Sequence, residues 1–109
     1  MRPIYHLVPR HLWERDPSRP FEAASLADEG FVHCSYAEQV ARSANRFYAD
    51  AADLLLLTID TTRLGSPLRE ELAGNGALFP HIYGPINRDA VTWVVPMHRD
   101  ADGRWAFPS

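Results

Sequence analysis

The run DLLLLTIDT, residues 53–61, constrains this chain more than any other stretch. It lacks the apolar-polar alternation of a half-solvated strand and has strand length, so it reads as a central strand buried on both faces. A chain of 109 residues supports one hydrophobic core and little more, so residues 1–109 are expected to form a single domain around it.

The neighbouring segments supply strands and few helices. IYHLV, 4–8, is rich in strand formers and stops at Pro9. Pro9, Pro17 and Pro20 make the stretch to residue 24 an irregular arm, with one helical turn around Trp13 that covers part of the core. In SLADEG, Ser25 and Asp28 have capping-box spacing and Gly30 stands where a helix ends in a left-handed residue, which predicts a short helical turn at about 26–29. FVHCS follows as a second strand. From Tyr36 the period turns helical: Tyr36, Val40, Ala44, Phe47 and Tyr48 form one stripe, predicting the main helix over about 36–48. LREEL, 68–72, reads as a short strand or half-turn, broken by GNG at 74–76. FPHIYGPI, 79–86, ends a strand; AVTWVVPMHRD, 90–100, alternates into another; and DADGRWAF returns through an Asp-Gly turn. The fold class is α+β, a mostly antiparallel sheet with one principal helix.

Composition removes several classes of function. The net charge is −3 and basic residues are mixed with acidic ones, which leaves no footprint for nucleic acid or an anionic membrane. Cys34 is the single cysteine, so there is no internal disulfide and no cysteine-based zinc framework. That usage suits a reducing cytoplasm. MRPIYHLVPR has no signal pattern and LLLL is far too short to span a bilayer, so a soluble cytoplasmic protein is expected.

Three of the five histidines, His6, His33 and His81, sit in strand-like aromatic settings. Alternation puts Phe31, His33 and Ser35 on one side of their strand and Val32 and Cys34 on the other. With the main helix packed over the Cys34 side, His33 faces out of the core. Imidazoles on neighbouring strands that share a cleft can hydrogen-bond a ligand or exchange protons near neutrality. The alternative is three separate semi-buried rings bonded to backbone. The three histidines lack the paired spacing of a metal motif, so no metal is expected. Cys34 reads as core packing. Ser35-x-x-Glu38 reads as a capping box that opens the main helix. No nucleophile elbow, phosphate loop or dinucleotide fingerprint is present. Glu70 and Glu71 are the remaining candidates: one glutamate on a strand facing a histidine-lined cleft stabilises developing positive charge or orients a hydroxyl, whereas more often such a pair is a solvated edge.

Taken in order, IYHL, SLADEGFVHCS, Gln39, ANRFY, DLLLLTID, REE and FPHIYGPI closely resemble the small bacterial family catalogued as domain of unknown function 952, over nearly the whole chain. The resemblance implies an ADP-ribosyltransferase-like fold, a bent split sheet around a cleft that holds NAD in active relatives. It implies that His6 matches the histidine that holds the adenosine ribose, that the turn from Ser25 to Gly30 shapes a nicotinamide pocket, and that Glu70 is the transferase carboxylate. Two functions follow. One is an enzyme releasing nicotinamide from NAD, with Glu70 and His33 as catalytic residues and His6, Ser25, Ser35, His81 and Tyr83 as ligand-binding residues. The other is a module that binds a nucleotide or other small metabolite without turnover, or a protein-interaction domain using aromatics such as Trp105 and Tyr83. The partner expected is a small molecule, not nucleic acid or membrane.

Overall fold

The computed structural model describes residues 2–108. The strands are β1 (Ile4–Pro9), β2 (Val32–His33), β3 (Leu54–Ile59), β4 (Leu68–Leu72), β5 (Leu78–Ile82), β6 (Val91–Pro96), β7 (His98–Arg99) and β8 (Trp105–Ala106). The α-helices are α1 (Arg10–Trp13), α2 (Ala24–Glu29) and α3 (Ala37–Phe47), with a 3₁₀ turn at Arg88–Ala90. Every strand pairing is antiparallel. The strands form two three-stranded sheets, β1-β3-β6 and β2-β5-β4, and a β7-β8 hairpin.

The apolar run is the middle strand of the first sheet, as its lack of alternation predicts. Leu54, Leu55, Leu56, Leu57 and Ile59 are each 2% exposed or less. The two faces meet different partners. Leu55, Leu57 and Ile59 pack with Ile4 and Val8 against Val32, Cys34 and Ile82 of the second sheet. Leu54 and Leu56 pack with Leu7 against Val40 and Ala44 of α3, with Met97 and Trp105 closing that layer. The helix therefore lies on the far side of the first sheet, not over Cys34 as the sequence suggested. Cys34 is buried between the sheets, where desolvation pushes its thiol pKa up.

The backbones of the two sheets are bridged at Tyr5 and Ser35. Tyr5 and Ser35 exchange two backbone hydrogen bonds of 2.8 Å, which carries the first sheet over to the second and leaves a re-entrant surface beside the junction. A second bridge, Phe21 with Ile86, pins the proline-containing arm. Arg88 orders the rest of that arm: its guanidinium donates to the carbonyls of Arg19, Trp13 and Asp16 at 2.7–3.0 Å and lies 4.1 Å over the Trp13 ring. A segment without regular structure thus has its carbonyls satisfied by one side chain.

Both predicted caps move. Helix α2 begins at Ala24 with Ala23 as its N-cap, so Ser25 lies inside the helix and caps nothing, while Gly30 takes the expected left-handed conformation (φ 88°) and donates to Leu26 O. The N-cap of α3 is Tyr36, whose backbone N–H donates to Gln39 Oε1 at 2.9 Å. The Tyr-x-x-Gln pattern one residue later wins over Ser35-x-x-Glu38, because Ser35 is held in the strand by its pairing with Tyr5. Of the predicted stripe, Val40 and Ala44 are core, Tyr48 is half-buried, and Phe47 stands 69% exposed. Trp105 is buried, its indole N–H donating to Tyr48 O, so it is not a surface aromatic.

Candidate functional site

The junction of the sheets opens into a cleft of about 1140 Å³. Its floor is the end of β1 and the segment from His33 to Ser35; α2 forms one wall, α3 another, and the tip of the β4-β5 hairpin the rim. His6, Ser25, Ser35, His33 and His81 all line it. Tyr83 and Glu70 do not line it.

His6 is the most constrained group in the cleft. It is 6% exposed, and its Nδ1–H donates to the carbonyl of His33 at 2.7 Å. A carbonyl only accepts, so the neutral ring carries its proton on Nδ1 and its lone pair on Nε2. Burial lowers the His6 pKa to about 4, the hydrogen bond to His33 opposing the shift. At neutral pH the ring is therefore an uncharged acceptor. Among the described residues no buried side-chain nitrogen or oxygen lacks a partner and Nε2 makes no hydrogen bond, so that atom keeps some solvent access on a ring that lines the cleft.

Freed from capping, Ser35 turns its hydroxyl into the cleft, 3.4 Å from Ser43 Oγ on α3. His33 sits at the mouth, its Nε2 2.6 Å from Glu29 Oε2 at the end of α2. His33 and His81 are cross-strand partners on β2 and β5, with ring centroids 5.3 Å apart. Phe31 stacks on His81 at 4.2 Å.

The glutamates divide by strand parity. Glu70 points to the face away from the histidines and accepts a hydrogen bond from Tyr36 Oη at 2.5 Å, beside Arg2, whose guanidinium lies 3.6 Å over the Tyr36 ring. The pairing of Glu70 with the cleft histidines expected from the sequence is not formed. Glu71 takes the histidine face: Oε1 accepts from His81 Nδ1 at 2.8 Å and from Tyr83 Oη at 2.5 Å. The Tyr83 hydrogen bond, followed by that of His81, lowers the Glu71 pKa. Tyr83 thus stands behind His81, not in the cleft.

Sequence reasoning missed the cations. Arg42 and Arg46 lie one turn apart on the cleft wall of α3. Among the described residues neither has a carboxylate partner, because Glu38 pairs with Arg2 and Glu29 with His33. Arg46 lies 5.2 Å from the centroid of the exposed Phe47 ring. The signal was in the sequence as two arginines at i, i+4, an arrangement that repels without an anion nearby. Among the described residues no group of three or more His, Cys, Asp or Glu side chains is placed to hold a metal ion. No helix among them is long and apolar enough to cross a membrane.

Two bridged antiparallel sheets with few helices make this an α+β protein, and known structures share the fold. The crystal structure of protein CC0527 from Caulobacter crescentus has 33% sequence identity, with a TM-score of 0.85 over 95% of this chain and 93% of that one. Its solution NMR structure also has 33% identity, with a TM-score of 0.79 over 95% and 91%. No curated protein matches the chain. The family model described as protein of unknown function (DUF952) matches residues 7–94, and the chain belongs to that family.

Proposed function

We propose that the cleft binds a small phosphorylated metabolite of the nucleotide class, and that the domain is in the first place a binding module of ADP-ribosyltransferase-like architecture. The observation that carries this reading is the Arg42–Arg46 pair: two guanidinium groups one turn apart on the wall of a cleft, without carboxylate partners among the described residues. An anion between them relieves their repulsion, and the planar guanidinium fork matches phosphate oxygens. The neutral His6, with Nε2 as acceptor, and the Ser35 and Ser25 hydroxyls suit the sugar hydroxyls of the same ligand. NAD and ADP-ribose combine both features and are the first ligands to try. The split antiparallel sheet bridged at Tyr5 and Ser35 supports the finer fold reading.

Transfer of ADP-ribose is the second reading, favoured by that same architecture. It proceeds without Glu70 in the cleft, since Glu70 is tied to Tyr36 on the opposite face. A thermal-shift series with NAD, ADP-ribose, AMP and adenosine tests the primary reading, because a ligand selective for the native state raises the melting temperature. Stabilisation by the phosphorylated compounds and none by adenosine is expected; no response to any phosphorylated compound overturns it. Nicotinamide release from NAD separates binding from transfer.

A further inference from the structure

The Tyr83–Glu71–His81 chain is built in a way that the fold alone does not require. His81 is held on three sides: Glu71 takes its Nδ1–H at 2.8 Å, Phe31 stacks on its face at 4.2 Å, and His33 meets it edge-on at 5.3 Å. Glu71 is itself fixed, since the same oxygen accepts the Tyr83 hydroxyl and the Arg69 guanidinium lies 5.1 Å from the centroid of the Tyr83 ring. Neither Glu71 nor Tyr83 reaches the cleft, whereas His81 lines it. With the carboxylate at Nδ1, the neutral ring keeps its lone pair on Nε2. Among the described residues that atom makes no hydrogen bond and no buried side-chain nitrogen is left without a partner, so Nε2 keeps solvent access on a ring that lines the cleft.

We infer that His81 is the proton acceptor of this cleft, with Glu71 and Tyr83 as the residues that position it, and that the ligand presents a hydroxyl group to its Nε2. In the bound state the ligand O–H donates to that lone pair. Full transfer moves the proton onto Nε2, leaves the electron pair on the ligand oxygen as an alkoxide, and produces an imidazolium whose charge the Glu71 carboxylate stabilises. Carboxylate, imidazole and hydroxyl then stand in the order that makes a weak nucleophile reactive, with the carboxylate holding the ring and its tautomer. This role requires that the cleft be a ligand site, as proposed above, but not that Arg42 and Arg46 bind phosphate.

The test is made on the ligand-free protein, so that its failure is distinct from a failure of phosphate binding. Long-range ¹H–¹⁵N spectra at pH 8 are expected to show the His81 proton on Nδ1 and a bare Nε2. Diethyl pyrocarbonate, which acylates unprotonated imidazole nitrogen, is expected to modify His81 at least as fast as the exposed His11 and His98, despite the 13% exposure of its side chain. In Glu71→Ala the His81 rate falls about tenfold relative to His11, the ratio expected for losing a hydrogen bond to a charged acceptor. A wild-type proton on Nε2, a His81 that stays unmodified while His11 reacts, or an unchanged relative rate in folded Glu71→Ala overturns the inference. If Glu71→Ala does not fold, the wild-type spectrum and rates decide.

Discussion

Lowering the pH should cost this protein stability through one residue, His6. In the unfolded chain its imidazole titrates near 6.5, whereas in the native state it resists protonation down to about 4 because burial against Phe21 desolvates the ring, an effect that its hydrogen bond to His33 O only partly opposes. Between those values the unfolded state binds the extra proton. The stabilisation is therefore complete above pH 6.5, is lost progressively as pH falls, and is exhausted below about 4. A fall from 6.5 to about 4 corresponds to roughly 3 kcal/mol in all, of which about 2 kcal/mol is lost by pH 5. For a domain of this size that is on the order of a 10 °C drop in melting temperature. The control is His6→Asn, whose side-chain amide retains a donor near the position of Nδ1 but does not titrate. Carboxylates held at lowered pKa, such as Asp60 through its Thr62 hydrogen bonds, lose stabilisation at lower pH in both proteins and cancel in the difference. Denaturant unfolding at pH 7.5, 6, 5 and 4.5 should show the wild-type curve falling towards that of the variant. Parallel curves across that range would refute the argument that His6 is buried neutral.

Two further outcomes concern the packing that positions the cleft. Arg88→Ala leaves three carbonyls of the arm without their charged donor and should destabilise by about 1.5–3 kcal/mol, with new proteolytic cleavage between Trp13 and Phe21 checking that the arm is what comes loose. Cys34 lies between the sheets with its thiol pKa raised by desolvation, so a thiol reagent should label it only at the rate of global unfolding; rapid labelling under native conditions would place it outside the inter-sheet core.

Legibility in the sequence followed the range of the interactions. The apolar run at 54–57 announced a doubly covered strand because burial on both faces removes alternation whatever the partners are. Alternation likewise separated His33 from Cys34. Which layer covered Cys34 was not legible, because the choice between α3 and the second sheet depends on the Tyr5–Ser35 bridge, a contact thirty residues apart in the chain. Ser35 illustrates the same limit: two capping patterns overlap by one residue, and pairing with Tyr5, not local preference, decides between them. In LREEL nothing local distinguishes Glu70 from Glu71. Their faces are set by the register of β4 on β5, where Arg69 lies opposite His81 and Glu70 opposite Pro80. Arg42 has Glu38 one turn before it in α3, and only the fold shows that this carboxylate goes to Arg2.

The affinity of the cleft for a phosphorylated ligand is the most direct measure of its proposed role. Calorimetric titration with ADP-ribose of the wild type and of the Arg42→Ala/Arg46→Ala double variant measures it. Binding by the wild type that weakens with added salt, and that drops at least about tenfold in the double variant, is the predicted result. Equal affinity in the two proteins, or no binding of ADP-ribose to the folded wild type, contradicts it.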